Sequence, residues 1–370
     1  MKTLSFILAL AFLVAPLFAA DAPPAIDWER AKELFQREQR GGTLTADERS
    51  YLDEAKRQRT AGRPGAGGAD GKPATPPAEA NQTPLPELAG NYQGQDGGLY
   101  GGGKNEPPPA QQAAAARALA ELRPLDAEGK PGADGKIVLL SIGMSNTTME
   151  FSKFKQLADA DPRKAPAVVI VDGAQGGQDA PAWTPADAAP WRVADQRLAA
   201  AGASARQVQV VWIKQAVKGP QAGFPAESDR LREAIGEIVR LAKQRYPNLR
   251  VAFLSSRIYA GYAVGRLNPE PYAYESAFAV RGLIQAQMKG DPALNADPAR
   301  GAVQAPVLLW GPYLWANGAT PRQGDGLAWK PEDYAKDFTH PGEVGRQKVA
   351  KLLLDFFTGD ANAKPWFVAK

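Results

Sequence analysis

Five short apolar runs, separated by longer segments of helical periodicity, pattern the second half of the chain. The runs lie at residues 137–142, 167–171, 208–213, 250–254 and 307–310. Short runs rich in β-branched residues are typical of strands buried on both faces of a parallel sheet. Because strands and helices alternate, we expect an α/β protein with a doubly wound parallel sheet and helices on both faces.

The segments between these runs carry apolar residues three or four positions apart, as helices do. The clearest helix is predicted for residues 227–246, with apolar positions at Leu231, Ile235, Ile238, Val239 and Ala242. Residues 272–289 have a similar pattern, and residues 344–357 predict the helix that closes the fold. Residues 136–370 are therefore the predicted main domain.

Residues 1–20 have an early lysine, an apolar core and small residues at the end. The core is short and Pro16 interrupts it, so a cleaved signal peptide is favoured over an uncleaved membrane anchor. Cleavage implies a periplasmic or secreted protein with no stable membrane insertion afterwards. The chain has no cysteine, which excludes disulfides, thiolate metal sites and a cysteine nucleophile.

Residues 21–60 predict a small, charged helical hairpin with helices at 27–40 and 45–59. Thr45 and Glu48 have the spacing of a capping box that begins the second helix. Two roles stay open for the hairpin, namely docking of a protein partner and a solvated accessory segment.

Residues 61–90 are rich in Pro, Gly and Ala and predict a linker, whereas residues 91–135 predict an arm that packs on the main domain. Within the arm, residues 98–104 match the first seven positions of a phosphate-binding loop. We reject that function because no strand precedes the segment. Prolines at 107–109 are also expected to exclude the helix that would hold a phosphate.

Charge and residue counts narrow the function classes. The chain has 44 Lys and Arg against 40 Asp and Glu, spread evenly, so no nucleic-acid surface is predicted. The single histidine, His340, excludes a zinc site built on several histidines, whereas a cation site made of carboxylates stays open. We expect neither a metal nor an organic cofactor.

Chemistry-bearing residues follow the predicted strand ends or lie in the last loop. They are Ser145 after the first strand, Gly176 and Gly177 after the second, Gln215 after the third, and Asp337 and His340 before the final helix. In open α/β sheets, ligands bind beyond the carboxyl ends of the strands, so these residues are expected to converge there. A serine at such a position is either a helix N-cap or a nucleophile.

A serine hydroxyl attacks an ester well only when a base removes its proton, and histidine suits that role near neutral pH. Asp337 lies three residues before His340 and can reach the other ring nitrogen. A tetrahedral oxyanion needs donors, which glycine-rich turns and backbone amides supply. The amides of Gly177 and Ser145, with a side-chain amide, are candidates.

With these blocks in this order, residues 136–357 resemble the SGNH hydrolase superfamily, also called GDSL-type esterases. The shared features are a serine after the first strand, glycine after the second, an amide after the third, and Asp-x-x-His near the C-terminus, followed here by Pro341 and Gly342. The resemblance implies a three-layer α/β/α sandwich with a five-stranded parallel sheet of flavodoxin-like order.

The resemblance also implies roles for particular residues. Ser145 would be the nucleophile, His340 the base and Asp337 its orienting acid. Gly177 would donate to the oxyanion, with Gly176 as its competitor. No metal or cofactor is implied.

Two departures from the family pattern accompany this resemblance. Met144 stands where an aspartate usually precedes the serine, although branches of the family that act on carbohydrates also lack that acid. The asparagine of the third block has no match, since Gln215 is nearest and Lys214 stands where glycine is expected. Asn146 is a further possible oxyanion donor.

The sequence thus predicts an exported serine esterase that hydrolyses a small acyl ester, with acetyl groups on a carbohydrate as the favoured substrate. The alternative is a catalytically degenerate scaffold that binds a glycan or an envelope partner. Six rings near strand ends would suit sugar binding, but loop packing is the favoured interpretation. They are Trp183, Trp191, Trp310, Tyr313, Trp315 and Trp329. Arg257, after the fourth strand, fits an acidic substrate group or an ion pair and receives no role.

Overall fold

A computed structural model describes residues 26–39, 44–61 and 82–369 of the chain. The chain divides into two compact units, Met1–Gly67 and Gly68–Lys370. The predicted signal peptide and the first two thirds of the predicted linker lie outside the described residues. Among the described residues, no helix combines the length and the apolar character needed to cross a bilayer.

The described part of the first unit is a pair of helices, α1 (Trp28–Gln39) and α2 (Ala46–Ala61). Three buried leucines form its small core: Leu34, Leu44 and Leu52. The Glu48 amide donates to Thr45 Oγ1 at 3.2 Å, and the Thr45 amide donates to Glu48 Oε2 at 2.9 Å. This reciprocal pair is the capping box that the spacing predicted.

The described part of the second unit begins with a short arm. A 3₁₀ turn at Leu85–Glu87 precedes an antiparallel pair of two-residue strands, β1 (Asn91–Tyr92) and β2 (Gln95–Asp96). Leu85 is fully buried, and its amide donates to the Tyr313 hydroxyl at 3.1 Å. The end of the predicted linker therefore packs on this unit, because burial of Leu85 holds the proline-rich segment in place.

The glycine-rich segment at residues 98–104 closes on itself. The Tyr100 amide donates to the Lys104 carbonyl at 2.9 Å, and the Lys104 amide donates to Gly101 at 3.0 Å. Amides used in this way are not presented to a phosphate. A helix, α3 (Pro109–Ala120), does begin at the last of these prolines, contrary to expectation. Proline is accepted in the first helical turn because its missing N–H would have no intrahelical partner there.

The core of the second unit is a five-stranded parallel sheet, which confirms the predicted α/β fold. Its strands are β3 (Ile137–Gly143), β4 (Val168–Asp172), β5 (Val208–Lys214), β6 (Val251–Ser255) and β7 (Val307–Trp310). They lie side by side in the order β4-β3-β5-β6-β7, which is the flavodoxin-like order. The chain leaves β3 for β4 on one side and later returns to β5 on the other, so a topological switch point lies at the end of β3.

Helices flank this sheet and complete the three-layer sandwich. They are α4 (Ser145–Ala160), α5 (Ala180–Trp183), α6 (Ala189–Ala200), α7 (Ala226–Arg245), α8 (Tyr272–Met288), α9 (Glu343–Gly359) and α10 (Lys364–Phe367). Helix α4 packs on α9, and α7 packs on α8. Aromatic contacts join α4 to the sheet and to α9, since Phe151 stacks on Trp212 at 5.4 Å and Phe154 stacks on Phe357 at 5.2 Å. Helix α4 is thereby fixed at both its sheet and helix neighbours.

Candidate active site

Ser145 lies where β3 ends and α4 begins, at the topological switch point of the sheet. A Cβ atom at Gly143 would come within 2.5 Å of the Lys214 carbonyl, so only glycine lets β3 end this close to β5. Met144 is the N-cap of α4 and has no capping side chain. The Ser145 hydroxyl is therefore not used as the helix cap and is available for another contact.

The three residues predicted to be catalytic form one hydrogen-bonded chain. Ser145 Oγ lies 2.8 Å from His340 Nε2, although the two residues are 195 positions apart. His340 Nδ1 lies 2.5 Å from Asp337 Oδ2. A serine, an imidazole and a carboxylate in this sequence of contacts have the geometry of a charge-stabilised nucleophile and base.

The loop before α9 holds the histidine through the same aspartate. Asp337 Oδ1 accepts the His340 amide at 3.0 Å and the Thr339 amide at 3.1 Å. Phe338, which lies between Asp337 and Thr339, has a φ of +51°, in the left-handed region that residues other than glycine seldom adopt. The Ala335 amide donates to the His340 carbonyl at 2.8 Å and closes the turn. The imidazole is thus oriented by a tight local turn.

The Asp337 carboxylate carries opposing influences on its pKa. Burial disfavours the charged form, but hydrogen bonds from the ring and backbone of His340 outweigh it and lower the Asp337 pKa below 3.8. The carboxylate is therefore ionised at neutral pH. An ionised carboxylate can only accept, so Nδ1 carries the imidazole proton and Nε2 faces Ser145 with its lone pair.

Asn146, predicted as an oxyanion donor, joins the nucleophile's helix to the histidine loop. Its Nδ2 donates to the Thr339 carbonyl at 3.1 Å, and the residue is 1% exposed. This bond links α4 directly to the residue before His340. Among the described residues, the hydrogen-bond partner of the Asn146 side chain is therefore a backbone carbonyl of the histidine loop.

The glycine turn after β4 is tied to the end of β3. The Gln175 amide donates to the Gly143 carbonyl at 3.0 Å. Gly177 has a φ of +76°, which a residue with a side chain would adopt only under strain. Within the described residues, neither Gly176 nor Gly177 donates its amide to another protein group, and both are exposed. Both amides are therefore available to donate a hydrogen bond to a bound group.

Gln215 follows β5, one position beyond the residue that pairs with Gly143 in the β3–β5 register. The side chain is 1% exposed, and neither Oε1 nor Nε2 has a hydrogen-bond partner among the described residues. A buried amide without a partner is costly and uncommon in proteins. It therefore points to a group that the polypeptide itself does not supply.

A buried ion pair beneath the site has no counterpart in the sequence prediction. Lys214 and Glu150 are both fully buried, and Lys214 Nζ donates to Glu150 Oε1 at 2.6 Å and also to Oε2. Burial lowers the pKa of Lys214 to about 8, opposed by the charge of Glu150. The available signal was a lysine directly after an apolar strand and a glutamate five residues after Ser145. Charged residues at those places are usually solvated, so the pattern alone did not identify the pair.

The six aromatic rings near strand ends are all buried. Their exposed fractions are 0% for Trp183, Trp191, Trp315 and Trp329, 5% for Trp310 and 6% for Tyr313. The packing interpretation is therefore confirmed, and none of these rings offers an open face to a sugar. Among the described residues, no cluster of three or more His, Asp or Glu side chains is suited to hold a metal ion.

Comparison with known proteins gives distant neighbours. No protein-family model and no curated protein matches the chain. The periplasmic domain of a lipopolysaccharide acetyltransferase of Salmonella ser. Paratyphi A aligns at 14% identity and a TM-score of 0.33, over 60% of this chain and 84% of that one. A proposed acylhydrolase of Bacteroides fragilis NCTC 9343 aligns at 15% identity and a TM-score of 0.34, over 68% of this chain and 97% of that one. Both TM-scores lie below 0.5, so neither alignment supports a conclusion about family or function.

Proposed function

We propose that this chain is a serine esterase that transfers a small acyl group from an ester to water. The observation that carries the proposal is the hydrogen-bonded chain from Ser145 through His340 to Asp337. The resemblance of its sequence blocks to SGNH hydrolases, and the location of Ser145 at the switch point of the sheet, support the same function.

In the first half-reaction, Ser145 Oγ attacks the ester carbonyl carbon while its proton moves to His340 Nε2. The carbonyl electron pair moves to oxygen and forms a tetrahedral oxyanion. Asp337 keeps the imidazole oriented and stabilises its positive charge. The intermediate then collapses, and the departing alcohol oxygen takes the proton from Nε2, which leaves the acyl group on Ser145.

In the second half-reaction, a water attacks the acyl carbon and gives a proton to the same His340 nitrogen. Collapse of the second tetrahedral intermediate breaks the bond to Ser145, whose oxygen takes the proton back. The carboxylic acid is released and the site returns to its starting state.

The oxyanion needs donors already in place. Three groups are suited to this role: the Ser145 amide at the uncapped start of α4, the Gly177 amide and Gln215 Nε2. The start of a helix carries partial positive charge, which favours a developing negative charge there. The last two groups have no protein partner among the described residues.

Export and substrate belong to the same proposal. The leader-like pattern of residues 1–20 supports a periplasmic or secreted enzyme. A small acyl group such as acetyl is proposed, whereas a glycan as the alcohol has no support from the six buried rings. A protein partner for the hairpin at residues 21–60 is a further proposal that rests on the sequence alone.

Hydrolysis of 4-nitrophenyl acetate tests the proposal. We expect turnover by the wild-type protein and a loss of about 10³-fold or more in kcat/KM for Ser145→Ala, because the nucleophile is removed. Ser152→Ala removes a hydroxyl from the same helix, where it donates to Asp172 at 2.6 Å, and should change kcat/KM less than about threefold.

Each other result has a definite meaning. Activity that survives in Ser145→Ala would place the nucleophile elsewhere and overturn the proposal. A folded wild-type protein that shows no turnover of this ester or of longer acyl esters would favour the scaffold that binds without catalysis.

A further inference from the structure

Buried polar atoms without partners cluster at the carboxyl ends of β5 and β6. Seven such side-chain atoms occur among the described residues, and five of them belong to Gln215, Ser256 and Arg257. They are Oε1 and Nε2 of Gln215, Oγ of Ser256, and Nε and Nη2 of Arg257. Each unpaired buried group has a cost in free energy, so a polar ligand that bonds to several of them would be favoured at these strand ends.

The three residues lie beside the nucleophile. Lys214 pairs with Ser255 in the β5–β6 register, so Gln215 and Ser256 each follow one end of that pair. Arg257 Nη1 lies 3.9 Å from the sulfur of Met144, the residue directly before Ser145. The cluster therefore adjoins the start of α4 on the side of the sheet that carries β5 and β6.

The charge of Arg257 has no anion in contact with it. Its side chain is fully buried, and within the described residues no carboxylate forms an ion pair with it. Of the surrounding acids, Glu150 has the largest electrostatic influence on the pKa of Arg257, but both oxygens of Glu150 are bonded to Lys214. A buried guanidinium without a counterion lowers the stability of the fold, and a bound anion would offset that cost.

The two unpaired nitrogens of Arg257 identify the chemical class of that ligand. Nε and Nη2 share one edge of the planar guanidinium, and their N–H groups match the two oxygens of a carboxylate. The remaining nitrogen, Nη1, rests on the Met144 thioether. The Ser256 hydroxyl and the two N–H groups of Gln215 belong to the adjoining strand ends and have no partner among the described residues, so one N–H of Gln215 can serve the ligand and the other the oxyanion.

We propose that Arg257, together with Ser256 and Gln215, forms a carboxylate-binding subsite beside Ser145. This inference rests on the proposed esterase function and names a substrate class for it. The carboxylate belongs either to the alcohol part of the ester or to the acid that the reaction releases. Entry requires a side chain to move, and Met144, which is 5% exposed, has the flexible unbranched chain that permits it.

Equilibrium binding to the full-length Ser145→Ala variant, measured by calorimetry, tests the subsite without relying on turnover. The probes are two matched pairs, acetate with acetamide and glucuronate with glucuronamide. We expect at least one carboxylate to bind about tenfold or more tightly than its amide, because only the carboxylate pairs with the guanidinium edge. Binding of acetate alone assigns the subsite to the released acid, and binding of glucuronate alone assigns it to the alcohol part.

Two further substitutions, made in the same background, assign the effect to Arg257. Arg257→Met should lower the affinity for the carboxylate about tenfold or more, and Arg257→Lys should lower it less, because lysine keeps the charge but lacks the fork. Arg281→Met is the matched control. That arginine is buried and paired with Asp96 at 3.0 Å, so its loss should lower Tm but leave the carboxylate affinity unchanged.

Three results would overturn the subsite. These are equal affinity for carboxylate and amide probes, unchanged carboxylate affinity in Arg257→Met, and an equal loss in Arg281→Met. If Arg257→Met does not fold, unchanged affinity in Arg257→Lys together with a lower Tm would assign Arg257 a structural role. None of these outcomes depends on hydrolysis, so failure of the subsite and failure of the esterase proposal are separate findings.

Discussion

At the scale of single residues, the site depends on how Asp337 distributes its hydrogen bonds. One carboxylate oxygen accepts a hydrogen bond from the His340 ring, and the other accepts hydrogen bonds from two backbone amides of the same turn. The carboxylate thus selects the tautomer of the imidazole and shapes the loop that carries it. An asparagine at this position would have nearly the same shape as Asp337, but only one of its two terminal atoms could accept a hydrogen bond.

Asp337→Asn should therefore disturb the orientation of the His340 ring without preventing the protein from folding. We expect kcat for 4-nitrophenyl acetate to fall by about 10³-fold or more, because the amide nitrogen cannot accept from Nδ1 and the wrong tautomer faces Ser145. The Tm should change little at neutral pH, since the carboxylate is about half exposed. A variant that keeps most of its kcat would contradict the role of Asp337.

The pH dependence expected for the wild-type protein follows from the same residue. The folded-state pKa of Asp337 is lowered, so its stabilising contribution is present above about pH 3.8 and is lost as the pH falls through the folded value. Asp337 therefore stays ionised above about pH 4 and should add no second proton to an acid limb in that range, so log kcat/KM should fall there with a slope of one at most. A slope of two in that range would contradict an Asp337 that stays ionised.

At the scale of elements, the buried pair of Lys214 and Glu150 fastens α4 to β5. Both side chains are fully buried, and the pair lies between the strand that follows the switch point and the helix that begins with Ser145. A buried ion pair contributes little net stability over an apolar pair, but either member alone is strongly destabilising. Each of the two charges therefore offsets the free-energy cost of burying the other.

Glu150→Gln should lower the free energy of unfolding by about 3–5 kcal/mol, because it leaves the Lys214 charge buried without a counterion. The double variant Glu150→Leu with Lys214→Met should recover most of that loss. Urea denaturation at pH 7 measures both values. A double variant that is no more stable than Glu150→Gln would show that the two charges do not compensate each other.

The sequence predicted the elements of the sheet domain well and the charged interior poorly. Apolar runs located all five strands to within one or two residues, because a strand buried on both faces must be apolar along its length. The start of α3 at Pro109 and the buried Leu85 were missed, since proline content dominates those segments. The Lys214–Glu150 pair and the unpaired edge of Arg257 depend on distant partners, and no local pattern reveals such contacts.

At the scale of the whole molecule, the chain comprises two compact units, and the candidate site lies in the second. Ser145, Asp337 and His340, together with the sheet that carries them, all belong to Gly68–Lys370. Ser145, His340 and Asp337 could be named as candidates from the sequence because the chain has a single histidine. Their contact could not be predicted, because only the fold determines whether residues 195 positions apart meet.

Deletion of residues 1–67 should leave the esterase activity within about twofold and the Tm of the main transition nearly unchanged, because the second unit has its own core. The same 4-nitrophenyl acetate assay and thermal denaturation measure both. A large loss of kcat with an unchanged Tm would show that the first unit contributes to the site.

The long separation between Ser145 and His340 also orders events during synthesis. When Ser145 leaves the ribosome, the codons for the last loop are still to be translated, and the hydroxyl has no imidazole beside it. Under the proposed mechanism, a nascent or unfolded chain is therefore expected to be inactive toward esters. Activity would begin only after the loop that carries His340 has joined the sheet, so a chain that ends before this loop is expected to be inert.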